Sequence, residues 1–283
     1  EGAPMAAQGA KPEPTLSEIL SNAGKKALGG GLPGAAAMAF QVVSLMWLRT
    51  TMNFQYRHGT TTREALRKLY QDGGIRRFYR GIAPALFQGP LSRFGDTAAN
   101  AGMIALLDHW EETRNLPVAV KTASASTAAA AFRIVLMPID TLKTTLQVEG
   151  AQGLAVLGNK IRASGPLVMF HGALGAFAAT WVGHFPWFFT YNYLDSVIPK
   201  YDALAAKLAR NAGIGFVATC VSDTSSNSIR VLKTYRQTSE VKISYMDAAR
   251  NVIAKDGWIG LFGRGLGTRL LANGLQGAMF SMG

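Results

Sequence analysis

MPIDTLKTTLQVE, residues Met137–Glu149, is the segment from which the organisation of this chain is best understood. Pro138, Asp140, Lys143 and Gln147 lie within a segment that is otherwise suited to an apolar helix. A proline inside a helix removes a backbone donor and bends the helix. An acid and a base one turn apart are costly in an apolar helix unless each finds a partner. The segment therefore predicts a kinked helix whose charged side chains meet partners from elsewhere in the chain.

The same ten-residue pattern occurs three times at a nearly constant spacing. Its copies are MWLRTTMNFQ at 46–55, PIDTLKTTLQ at 138–147 and SIRVLKTYRQ at 228–237. A second element follows each copy and ends in a glycine. These glycines are Gly81, Gly172 and Gly265. Because two independent markers share one period of about 90 residues, the sequence indicates three tandem repeats.

Six long stretches rich in apolar residues alternate with shorter polar ones. They run over approximately 30–55, 82–108, 117–147, 173–195, 204–236 and 266–283. Most exceed the roughly 20 residues that cross a bilayer, and their isolated polar residues are typical of helices that line an aqueous cavity. Amphipathic segments at 62–70, 154–161 and 244–254 predict helices along the membrane surface. The sequence thus predicts an all-α membrane protein with six transmembrane helices, two per repeat, and short surface helices.

Charge and composition exclude several classes of function. The chain carries a net charge of +12, and 17 of its 29 Lys and Arg residues lie within 57–80, 143–172 and 230–264. The positive-inside tendency places these segments on one side of the membrane, so lipid headgroups explain the basic charge better than nucleic acid does. The single cysteine, Cys220, excludes a disulfide framework. No phosphate loop, nucleophile elbow or metal-ligand cluster indicates an enzyme.

Three two-helix repeats, the P-x-D-x-x-K-x-x-x-Q pattern of Pro138–Gln147 and the ending Tyr79–Gly81 resemble the mitochondrial carrier family. The resemblance implies a pseudo-three-fold, six-helix bundle that crosses the inner mitochondrial membrane several times and transports small solutes by alternating access. Both termini would face the intermembrane space. We divide the chain accordingly into a flexible N-terminal arm and three carrier repeats. These are 1–26, 27–115, 116–203 and 204–283.

The resemblance also implies a matrix-side gate in which the acid of each repeat pairs with the base of the next. The acid positions hold Leu48, Asp140 and Arg230, and the base positions hold Thr51, Lys143 and Lys233. Of these pairings only Asp140 with Lys233 joins opposite charges, so Lys143 and Arg230 are expected to lack a carboxylate partner. We assign the gate to Pro138, Asp140, Lys143, Gln147 and Lys233.

The first and third repeats depart from this pattern in a second way. Met46 and Ser228 replace the proline, which predicts that the first long helix of each of these repeats lacks the kink. At the opposite gate, 100–103 and 191–195 carry no acid at the expected position, and the third copy would fall beyond residue 283.

Family solute contacts are expected seven residues after each marker glycine and on the facing helices. The candidate substrate-binding residues are Gln41, Gln88, Arg133, Asp223 and Asn273. At the positions after the glycines stand Gln88 with Gly89, Ala179 with Thr180, and Ala272 with Asn273. Because none of these is charged, we expect a zwitterionic or weakly charged solute. An alternative is that Arg133 and Asp223 neutralise each other across the bundle.

Bound cardiolipin is expected at the repeat junctions, because helix starts headed by glycine offer backbone donors to phosphate. The candidate lipid-binding residues are Arg80, Gly81, Gly172, Arg264 and Gly265. The resemblance implies no metal and no other cofactor. Two functions stay open: an inner-membrane solute carrier, or a transport-inactive protein that serves as a structural subunit of a larger respiratory or ATP synthase complex.

Overall fold

The computed structural model describes residues 31–281, together with 15, 17, 18, 21, 22, 24 and 25. Most of the flexible arm predicted at 1–26 lies outside the described residues. Within the described part every regular element is a helix. The fold is therefore all-α, as the sequence predicts.

The helices follow the predicted alternation of long and short elements. In chain order they are α1 (Gly31–His58), α2 (Thr62–Phe78), α3 (Ile82–His109), α4 (Glu111–Arg114), α5 (Val118–Val135), α6 (Met137–Glu149), α7 (Gly153–Ser164), α8 (Ala173–Val197), α9 (Leu204–Thr238), α10 (Tyr245–Gly263) and α11 (Leu266–Ser281). Two short 3₁₀ helices, Gly150–Gln152 and Pro166–Phe170, flank α7. The first long helices of the three repeats are α1, α5 with α6, and α9. The second long helices are α3, α8 and α11.

The kink predicted at Pro138 is present. The segments Val120–Val135 and Met137–Ser164 meet at an angle of 64°. Pro138 lies in the first turn of α6. Backbone N–H groups in the first turn have no partner within the helix, so the N–H that proline lacks costs no helical hydrogen bond. In contrast, α1 and α9 continue past Met46 and Ser228 without a break. The lost prolines therefore have the predicted effect.

The repeats contact one another in cyclic order at the three marker glycines. Gly81 packs against α6, Gly172 against α9, and Gly265 against α1. Gly265 has a φ of +65°, and a Cβ atom there would lie 2.7 Å from the ring of Tyr56. Only glycine adopts this conformation and this close approach without strain. Each repeat thus packs against the next, and the third packs against the first.

A basic side chain at each junction caps the end of a first long helix. We call these three residues, Arg77, Lys160 and Arg264, the capping cations. Arg77 donates to the carbonyls of Gln147 and Val148, Lys160 to those of Arg236 and Gln237, and Arg264 to those of Tyr56 and Arg57. The last carbonyls of a helix lack partners within it, and a cation is favoured beside them.

Membrane spans are only partly evident from length and apolarity. Among the described residues, Pro166–Val197 is long and apolar enough to cross a membrane, and the bent pair Val120–Val135 with Met137–Ser164 qualifies as a second, broken span. The other long helices carry charged side chains that face the bundle interior, which lowers their apolarity. The count of six spans stays a prediction.

Candidate functional site

A cavity of about 370 Å³ lies at the centre of the bundle. Towards the end that carries the basic loops, the repeat glutamines Gln55, Gln147 and Gln237 are buried. Nearer the other end, the side chains of Asp96 and Arg133 are 35% and 36% exposed. The cavity is therefore closed at the basic end and opens towards the opposite end.

Asp140 is the centre of an ion network at the base of this cavity. Lys233 on α9 donates to its Oδ2 atom at 2.6 Å, and Lys143 on α6 donates to its Oδ1 atom at 2.8 Å. Gln88 on α3 donates to Oδ1 at 3.0 Å and accepts a bond of 2.5 Å from Lys143. The predicted pair Asp140–Lys233 is present. The expectation that Lys143 lacks a carboxylate is wrong, because the two oxygens of Asp140 each accept from a different lysine.

Gln147 joins the second repeat to the first at the closed end. Its Oε1 atom accepts from Asn53 Nδ2 at 2.6 Å, and its Nε2 atom lies 3.5 Å from the sulfur of Met46. One junction further, Gln237 instead donates from its Nε2 atom to Thr141 at 3.1 Å, and the same atom lies 3.6 Å from the sulfur of Met137. The glutamines therefore tie neighbouring first long helices together beneath the cavity.

Arg133 and Asp223 do not neutralise each other. Arg133 donates to Asp96 on α3 at 2.8 Å. Asp223 has its Oδ1 atom 2.8 Å from the Nε atom of Arg269 on α11, and Asn273 donates to its Oδ2 atom. The alternative of a pair across the bundle is wrong, because each charge finds a counter-ion on an adjacent helix.

The five candidate substrate-binding residues separate into two groups. Gln88, Arg133 and Asn273 line the cavity, whereas Gln41 and Asp223 are buried outside its lining. Gln41 is a candidate because it precedes Leu48 by seven residues, and residues seven apart lie on nearly the same face of a helix. Leu48 packs into an apolar cluster with Leu45 and Ala272 instead of facing the cavity. Gln41 lies on that packed side of α1.

The charge of the cavity is the feature that the sequence reasoning missed. Its lining includes the basic residues Arg49, Arg93, Arg133, Lys143, Arg230, Lys233 and Arg269, and the acidic residues Asp96 and Asp140. The sequence does indicate one of the missed residues, Arg269. It shares the i, i+4, i+7 spacing of one helix face with Asn273 and Gln276, so it is expected on the same side of the helix as the candidate Asn273. The cavity wall is thus strongly cationic.

A sequence model of the family described as mitochondrial carrier protein matches residues 21–107, 114–202 and 205–283. The chain belongs to the mitochondrial carrier family. The three matches cover nearly the whole chain, so the resemblance seen in the motifs is confirmed. A comparison with curated proteins gives no significant match. Members of the family are solute transporters, not enzymes, and are typically multi-pass proteins of the inner mitochondrial membrane.

In this carrier the candidate lipid-binding arginines differ in their surroundings. Arg80 is exposed, whereas Arg264 is 5% exposed and pairs with Asp256 at 2.6 Å. Arg264 is therefore not free to bind a headgroup, because it serves as a capping cation. In the first repeat Arg77 fills that role beside Asp72, which leaves Arg80 at the surface. Gly81, Gly172 and Gly265 do precede the second long helices, so cardiolipin at these starts stays a proposal.

Proposed function

We propose that this carrier-family protein transports an anionic solute across the inner mitochondrial membrane through its central cavity. The observation that carries the proposal is the charge of the lining, in which seven basic side chains stand against two acidic ones, with Asp223 behind the lining as a third carboxylate paired with Arg269. A cleft lined by one sign of charge between low-dielectric walls concentrates solutes of the opposite sign. An anion gains from entering such a cavity, whereas a cation is repelled.

The dimensions and chemistry of the cavity support a small metabolite. A volume of about 370 Å³ lies in the range of small-molecule sites. Five of the seven basic side chains are arginines, and the guanidinium fork matches carboxylate and phosphate oxygens. This proposal replaces the expectation of a zwitterionic or weakly charged solute, which rested on the uncharged residues at the three expected contact positions.

The ion network at the cavity base supports transport over a purely structural role. Opening the closed end requires Lys233 to leave Asp140, and these groups belong to different repeats that would have to separate. Lys143 lies on the same helix as Asp140 and stays a polar partner of the carboxylate during that change, whereas Gln88 belongs to the first repeat and would have to separate from it as Lys233 does. Charged groups inside a membrane bundle are costly, and they commonly mark a solute pathway.

Exchange by liposomes that contain the purified protein tests the proposal. The liposomes are loaded with unlabelled carboxylates, phosphate, nucleotides or amino acids, and uptake of the labelled solute is followed. We expect exchange of one or more anions, reduced by Arg133→Gln in the cavity and unchanged by Arg67→Gln on the exposed side of α2. Exchange of only neutral or cationic solutes would overturn the proposal. No exchange at all, with stable co-purification with a respiratory or ATP synthase complex, would favour the structural role.

A further inference from the structure

The three repeats differ at the position that Asp140 occupies in the second. By the repeat spacing its equivalents are Leu48 in the first repeat and Arg230 in the third. At the junction of the second and third repeats, one carboxylate holds two lysines. At the junction of the third and first repeats, the equivalent position carries a positive charge instead.

Three arginines face the cavity together at this second junction. Arg49 on α1, Arg230 on α9 and Arg269 on α11 all line the cavity. Arg269 repels both of the others, and Asp223 attracts Arg230 as well as Arg269. We call these residues the arginine cluster. Arg269 has Asp223 as its counter-ion. Among the described residues, no carboxylate lies within 4.0 Å of Arg49 or Arg230.

The other contacts of the arginine cluster are with neutral groups. Arg49 donates to Gln276 at 2.9 Å, and Arg230 donates to Ser226 on its own helix at 3.2 Å. A guanidinium has five N–H donors, so each of these side chains keeps donors that no protein group accepts in the contacts described. Three cations beside one carboxylate in a partly buried site repel one another, because the low dielectric strengthens the repulsion.

We propose that the arginine cluster binds a multivalent oxyanion, phosphate-like or polycarboxylate, which supplies the negative charge that Asp140 supplies at the neighbouring junction. The bound anion accepts from Arg49, Arg230 and Arg269 and so joins α1, α9 and α11 near the closed end. Bidentate bonds between guanidinium and oxyanion are strong and fix the geometry of both partners. The inference goes beyond the proposed function, because the anion acts as part of the closed gate and need not itself be transported.

Thermal unfolding of the purified protein in detergent tests this site. Phosphate or citrate is added in one series and chloride in another at equal ionic strength. We expect phosphate or citrate, but not chloride, to raise the Tm, since a ligand that binds only the folded state stabilises it. Arg230→Ala is expected to raise the half-saturating concentration at least about tenfold, because it removes charge-assisted hydrogen bonds to the anion. Arg67→Ala, a surface arginine on α2, should leave it unchanged.

A charge-reversal variant gives a second and sharper readout. Arg230→Asp places a carboxylate at the position equivalent to Asp140, facing Arg49 and Arg269. This variant is expected to have a higher Tm than the wild type without added anion, and to show no further rise with phosphate or citrate. The same anion-dependent rise in Arg230→Asp and in the wild type would overturn the inference, as would the absence of any rise in the wild type.

The two proposals can fail separately. Anion exchange by liposomes without stabilisation by phosphate or citrate would overturn the inference about the arginine cluster and leave the transport proposal standing. The opposite outcome is also possible. If phosphate or citrate stabilises the wild type but not Arg230→Asp, and the protein exchanges no solute, the transport proposal is overturned and the inference about the arginine cluster is supported.

Discussion

Lys233 donates to Asp140 at 2.6 Å, and this bond joins α9 of the third repeat to α6 of the second. The same carboxylate accepts from Lys143 at 2.8 Å and from Gln88 on α3 at 3.0 Å. Asp140 itself is only 5% exposed. Three helices therefore meet at one buried acid, and the closed end of the cavity depends on it.

Replacing Asp140 with asparagine is expected to destabilise the protein by about 3–5 kcal/mol, because it leaves two partly buried lysines without a counter-ion. Asp202→Asn removes an exposed acid and serves as the control. The free energy of unfolding in detergent measures both. Equal stability of the two variants would show that the network is not what holds the closed end together.

Arg264→Ala is expected to cost at least about 2 kcal/mol, because it removes the cap of α1 and leaves Asp256 without its partner. Arg80 occupies the equivalent position in the first repeat but is exposed. Arg80→Ala should therefore change stability by less than about 0.5 kcal/mol. Chemical unfolding curves of the two variants compare them directly, and a larger loss for Arg80→Ala would contradict the capping assignment.

Gly265→Ala and Gly267→Ala form a matched pair two residues apart. An alanine at 265 would adopt an unfavourable positive φ and press on Tyr56, so we expect a loss of at least about 2 kcal/mol. A methyl group added at Gly267 in α11 would meet open space, so its change to alanine should be neutral or stabilise by up to about 1 kcal/mol. Midpoints of thermal unfolding separate the two outcomes, and similar midpoints would refute the close contact between α1 and the start of α11.

The repeat period predicted much of this architecture. The family resemblance, which pairs the acid of each repeat with the base of the next, was enough to predict the contact between Asp140 and Lys233. Pro138, Met46 and Ser228 were enough to predict one kinked and two continuous helices. These features depend on backbone chemistry and symmetry, which the sequence contains.

The remaining contacts depend on side-chain geometry that a one-to-one pairing rule does not contain. Lys143 shares Asp140 because a carboxylate accepts at two oxygens. Arg133 pairs with Asp96 and not with Asp223, although all three were at plausible depths, because the packing of α5 against α3 sets the nearer partner. Arg269 belongs to no repeated motif, and only the packing of α11 against α1 and α9 brings it to Arg49 and Arg230.

The most direct test of the central claim is the uptake of paired solutes that are similar in size and differ in charge. Liposomes that contain the purified protein are offered succinate or succinamate, glutamate or glutamine, and adenosine monophosphate or adenosine. In any pair that is transported, we expect the more anionic member to enter faster by about tenfold or more, because the cationic cavity favours it. Faster uptake of the less anionic member would contradict an anion carrier.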